Sequence, residues 1–132
     1  MTDSRIGDPQ NRRPHPASMS GPFLELDLAR EVAQLRQEPE WASGQNARTL
    51  IKYDDLRVVL TTLAAGAGLP GHHTRGRITI QVLSGHLRVR SGERTFDLPA
   101  GRLLALDQEV PHDVEAVEES AFLLTIAWPS GG

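Results

Sequence analysis

The chain contains no cysteine. Disulfide frameworks, thiolate metal sites and cysteine nucleophiles are therefore excluded together, and any metal must be held by imidazole or oxygen ligands. Aromatic residues are also scarce at 5%, so a core must be built from Leu, Val, Ile and Ala, which suits short, closely packed strands. Basic charge is in deficit, with 14 Lys and Arg against 17 Asp and Glu and a formal net charge of -3. Such a balance supplies no field for a phosphate backbone, and nucleic acid is not expected as a partner. No apolar run approaches the ~20 residues that cross a bilayer, and the first residues lack the apolar stretch of a secretory signal. A cytoplasmic protein without a membrane partner is the resulting expectation. No serine sits in a nucleophile elbow, which leaves hydrolase chemistry without support. Gly66, Gly68 and Gly71 precede a strand pattern and no Lys-Ser or Lys-Thr pair follows them, so they are not a phosphate cradle.

What is present, in 132 residues, is enough for one domain. The segment 1–21 is rich in Pro, Arg and Ser and reads as a disordered lead-in that includes His15. The segment 22–45 reads as a helical cover: Leu28, Val32 and Leu35 recur at helical spacing between Leu26 and Gln37, Asp27 is suited to cap the N-terminus, and Pro39 stops the helix. Covering an opening or edge of the domain is the role expected of it.

From Asn46 to residue 129 the pattern becomes β-rich. Strands are expected near Arg48 to Tyr53, Leu56 to Ala64, Arg77 to Leu83, His86 to Arg90, Thr95 to Leu98, Leu103 to Leu106, Asp113 to Val117 and Ala121 to Trp128. About eight strands at this spacing predict an all-β fold, a closed barrel or antiparallel jelly roll. His86, Arg88 and Arg90 alternate with Leu87 and Val89, which gives that strand one wet and one buried face. The run from Ala121 to Ala127 is almost wholly apolar and predicts a strand covered on both sides, centrally or at an oligomer interface. That strand, the tryptophans Trp41 and Trp128 and the exposed edges of an open sheet point to a homodimer.

The loop and strand around His72 carry a resemblance. Gly66, five residues, His72, one residue, Thr74, three residues, Ile78, six residues and Gly85 reproduce the spacing of the first cupin motif, with a Leu-Ser-Gly turn at its end. Fifteen residues later, Gly101, five residues, Asp107, one residue, Glu109, two residues, His112, three residues and Ala116 follow the second motif. The segment from Asn46 to Trp128 thus resembles a small single-domain cupin of the cupin-2 type, which implies a double-stranded β-helix, or jelly-roll barrel. The motifs are degenerate. Thr74 stands where the family usually has a second histidine, Ile78 where it has a glutamate, and Asp107, Glu109 and Ala116 replace proline, glycine and asparagine.

What the resemblance implies for the site is a reduced histidine set. His72 and His112 occupy family ligand positions, and the adjacent His73 could join them. Three imidazoles and water would suit a divalent transition metal such as Zn, Fe, Ni or Cu, while loss of the glutamate argues against manganese or magnesium. Alternation should turn His112, Val114 and Ala116 inward with Ile78, Ile80 and Val82, and Asp113 and Glu115 outward, around a mostly apolar cavity. Asp107 or Glu109 could orient His112 or join the mouth. Arg75 and Arg77 could attract an anionic ligand or be merely solvated. Two readings of function stand. One is a metal-binding barrel with a small organic ligand, working as a dioxygenase-like oxidoreductase or an isomerase. The other is a non-catalytic small-ligand sensor or accessory module without metal.

Overall fold

The computed structural model describes residues 19–129. The lead-in up to residue 18, with His15, lies outside the described residues. Met19 onward is tied down: its carbonyl accepts from Lys52 N at 2.8 Å, and the Tyr53 hydroxyl donates to the Gly21 carbonyl at 2.6 Å.

One short helix, α1 (Leu28–Leu35), and a 3-10 turn at Pro39–Ser43 precede nine strands. These are β1 (Gln45–Lys52), β2 (Leu56–Leu63), β3 (Gly68–His72), β4 (Arg77–Ser84), β5 (His86–Ser91), β6 (Arg94–Pro99), β7 (Leu103–Leu106), β8 (His112–Ala116) and β9 (Ser120–Ala127). They form two antiparallel sheets, ordered β1-β2-β9-β4-β7 and β3-β8-β5-β6, facing each other as a jelly roll. Eight strands follow the sequence pattern; β3 does not. Its glycines and Pro70 read as loop, yet its backbone pairs with β8. Gly68 is required there because a Cβ would stand 2.9 Å from the Val114 carbonyl oxygen of the neighbouring strand.

Side chains from both sheets meet between them. Ile78, Ile80 and Val82 on β4 and Phe122 and Ile126 on β9 face Leu87 and Val89 on β5 and Val114 and Ala116 on β8. These side chains form one buried cluster between the sheets. Strand β9 lies centrally between β2 and β4, which explains its apolar run. Its inward residues join this core, while Leu123 on its outer face packs with Leu50, Leu60 and Leu35 of the helix. The helix thus lies on the outer face of the larger sheet. The apolar strand and both tryptophans find partners inside the chain, with Trp41 under Arg36 and Trp128 under Arg57.

Asp27 caps α1 as its sequence position suggests, accepting from Arg30 N at 3.2 Å. A charge cluster anchors the helix to β1. Arg48, whose side chain is 9% exposed, donates to Glu31 Oε1 at 3.2 Å and to Glu38, and Asn46 Nδ2 donates to Glu38 Oε1 at 3.0 Å and to the Leu35 carbonyl at 2.9 Å. Burial pushes the Glu38 carboxyl up, but the hydrogen bonds from Asn46 and Arg48 outweigh it and hold the group below its usual 4.5.

Two predictions follow from this packing. Arg48→Met removes the cation that two carboxylates face and should cost about 3 kcal/mol in urea denaturation. Because the Glu38 pKa is lowered on folding, its stabilisation is present above the ordinary value and is lost as pH falls through the folded one. Acid titration of stability should therefore show a smaller loss in the variant than in the parent, and parallel curves would refute the coupling. Gly85 turns β4 into β5 at φ 85, and a Cβ there would stand 2.3 Å from the Glu119 carbonyl oxygen. Gly85→Ala should accordingly destabilise by roughly 2–4 kcal/mol, with a matching fall in Tm.

Candidate functional site

The candidate residues gather at one end of the roll. In the larger sheet β2 and β4 begin there while β7 and β9 finish, with Leu56 and Arg77 both opposite Ala127 and Ile78 opposite Leu106. In the smaller sheet β3 ends at His72 and β8 begins at His112. The two loops that join the sheets at this end touch, through Glu109 N donating to the Thr74 carbonyl at 2.8 Å.

His72 and His112 are register partners across the β3–β8 pair, beyond an irregularity between Leu69 and His72. Facing positions of an antiparallel pair stand ~4.5–5.5 Å apart at Cα, so the fold brings together two residues 40 apart in sequence. His112 is buried, 7% exposed, and along β8 Val114 and Ala116 are buried with it while Asp113 is exposed, the alternation the sequence predicts. Its Nδ1 lies 3.2 Å from the Val110 carbonyl oxygen. A carbonyl only accepts, so Nδ1 carries the proton and, in a neutral ring, Nε2 keeps the lone pair.

His73 goes elsewhere. Its side chain is 61% exposed and its Nδ1 is 3.0 Å from Glu109 Oε1. Among the described residues no group of three or more His, Asp or Glu is arranged to hold a metal. The two substituted family positions have other uses. Thr74 Oγ1 donates to the Gly76 carbonyl at 2.9 Å and accepts from Gly76 N at 3.1 Å, so it shapes the turn into β4. Ile78 is 3% exposed and belongs to the core.

Asp107 and Glu109 both join the mouth. Asp107 is held below the usual carboxylate range by the Gln108 backbone N–H and by Arg77, whose Nε donates at 2.8 Å. Glu109 has φ 62, a left-handed backbone, at the position where the cupin motif has glycine. His86 and Arg88 lie on the wet face of β5, where both reach Asp97 Oδ1, at 3.3 and 3.0 Å. Hydrogen bonds from Arg88 and then His86 lower the Asp97 pKa.

Beside the histidines an open recess of about 230 Å³ is lined by Arg75, Gln108, Glu109, Trp128 and Pro129. Arg57, at the start of β2, places its guanidinium 5.2 Å from the Trp128 ring centroid, and its buried Nε has no hydrogen-bond partner. Sequence reasoning missed Arg57. The signal was a charged residue an even number of positions from Leu63, which joins the core, in a strand with no other charge.

A family model described as AraC-like ligand binding domain matches residues 64–128. Among solved structures, the chain is similar to an RmlC-like cupin protein from Desulfovibrio desulfuricans at 28% identity and TM-score 0.60, over 65% of this chain and 84% of that one. It is similar to a protein of unknown function from Streptococcus pyogenes at 23% identity and TM-score 0.65, over 90% and 98%. It also resembles salicylate 1,2-dioxygenase from Pseudoaminobacter salicylatoxidans at 17% identity and TM-score 0.69, over 77% of this chain but 34% of that one. No curated protein matches the chain.

The left-handed backbone at Glu109 generates a prediction that separates conformation from charge. Both Glu109→Gly and Glu109→Ala lose the contact to His73, but only alanine retains the steric cost of positive φ. The alanine variant should be less stable than the glycine variant by about 1 kcal/mol in urea denaturation, the reverse of their usual order within helices and strands.

Proposed function

We propose that this chain, which has the fold of a small single-domain cupin-2-like protein, is a ligand-binding module that takes a small organic molecule at the open end of its barrel. The observation that carries this reading is the recess on Trp128, bordered by the loop that leads into His112. It offers an indole face, one cation, one carboxylate and an amide, the combination of apolar wall and few polar groups typical of small-molecule sites. The match to an AraC-like ligand binding domain supports it, and so does the use of Thr74 and Ile78 for turn and core.

A second reading is favoured by one specific feature, the shared register of His72 and His112. In it these two imidazoles, with His73 swung inward from Glu109, hold a divalent transition metal, and any oxidoreductase or isomerase chemistry would belong to that centre.

The readings part on thermal unfolding and metal content. A panel of small organic molecules should contain members that raise Tm, since a ligand at 100 times its Kd adds about 2.7 kcal/mol. Trp128→Ala should abolish that shift. If no compound acts, while untagged protein loaded with Zn, Fe, Ni or Cu holds near one metal per chain that is lost in His112→Ala, the metal centre displaces the proposal.

A further inference from the structure

The recess has a charge character that the proposed function leaves unspecified. Among the cationic or potentially cationic side chains at this end are Arg57, His73, Arg75, Arg77 and His112. Arg77 is paired with Asp107, His73 with Glu109, and His112 Nδ1 with the Val110 carbonyl. Arg75 and Arg57 are different. Arg75 lines the recess and is exposed, with no ion pair or hydrogen bond to a described residue. Arg57 lies over the Trp128 ring with its Nε buried and unsatisfied. Asp54 and Asp55 in the adjoining hairpin pair with neither arginine, although the Asp55 carbonyl accepts from Trp128 N at 3.0 Å. The one acid on the recess wall, Glu109, is already turned to His73.

A buried guanidinium nitrogen without an acceptor is costly, and a cation stacked on an indole draws on the ring quadrupole while its charge stays uncompensated. An anion in the recess supplies an acceptor to Arg75 and lies in the field of the Arg57 cation, whose buried Nε it does not touch. Trp128 meanwhile contributes a flat apolar surface to the recess that Arg75 enters. A volume of about 230 Å³ is below the ~300–1,000 Å³ of drug-sized sites, so the guest has to be small.

We infer that the recess recognises a small planar organic acid, its carboxylate facing Arg75 and its flat body against Trp128, in the field of Arg57. This rests on the proposed function and narrows it to a ligand class. Arg75 supplies a fork of donors matched to a carboxylate, and Arg57 supplies long-range charge through the indole without direct contact. A neutral isostere would leave both guanidinium groups as they are and gain only the stacking surface.

The test uses benzoate and its neutral isostere benzamide, titrated into the full chain carrying Trp41→Phe so that Trp128 alone reports by fluorescence. Benzoate should quench saturably, benzamide should bind at least about tenfold more weakly, and Arg75→Gln should weaken benzoate by about tenfold while leaving benzamide unchanged. Raising salt should weaken the benzoate response alone. Equal binding of acid and amide, or indifference to Arg75→Gln, overturns the acid preference and leaves a small-ligand site standing. Silence of both probes in a protein that other panel compounds still stabilise also overturns the acid preference alone, whereas silence of every compound overturns the site itself.

Discussion

The site depends on the pairing of β8, which is held by β3 on one side and β5 on the other. Strand side chains alternate with a period of two, so this double pairing decides which residues of β8 face the core. In the observed register His112, Val114 and Ala116 are buried and Asp113 is exposed. A slip of one residue would bring Asp113 and Glu115 into an apolar layer made by Ile80, Val82, Leu87 and Val89, and turn the histidine to solvent. Burying two carboxylates there is so unfavourable that the register is strongly specified. Pairing with β3 also sets His72 opposite His112, although β3 is short, irregular and built on Gly68, Pro70 and Gly71.

The molecule distributes its charges between structure and mouth in different ways. Arg48, Glu31, Glu38 and Asn46 form a largely closed cluster in which each buried cation or carboxylate has polar partners, and it ties the helix to the outer face of the larger sheet. At the end of the roll the balance among the described residues is left incomplete, with no ion pair for Arg57 or Arg75 beside Trp128 and a left-handed backbone at Glu109. Strain and unsatisfied polar groups tend to gather where a protein meets a ligand. Two positions where cupins usually place metal ligands have been given to ordinary structural work. Thr74 closes a turn by bonding to Gly76, and Ile78 fills the core against its neighbours on both sheets.

Much of the architecture was legible from local pattern. Alternation in β5 and β8, helical spacing with the Asp27 cap, and the Ser84-Gly85 turn each depend on a few adjacent residues, and each appears where the sequence placed it. The apolar run of β9 was legible as doubly covered, but what covers it was not. Leu123 packs against a cluster that includes Leu35 of the helix, some 88 positions earlier. Distance in sequence also hid the stacking of Trp128 under Arg57. The site was legible in part. His72 and His112 could be paired from motif spacing, whereas the partnership of His73 with Glu109 and the exposure of Trp128 to a recess are products of two loops meeting.

By itself the sequence determined that the chain is a β-rich roll without thiols or a basic surface, with one short capped helix and histidines placed at one end of its strands. Those properties arise from composition and from periodicity over a few residues, which short-range sterics and burial enforce. Only the tertiary structure decided that Gly68 through His72 is a strand, that Ile78 and Thr74 are spent on core and turn, and that Arg57 lies unsatisfied over Trp128. Those properties depend on which distant segments come into contact, and hydrogen-bond and charge satisfaction is settled only when the two sheets close on each other.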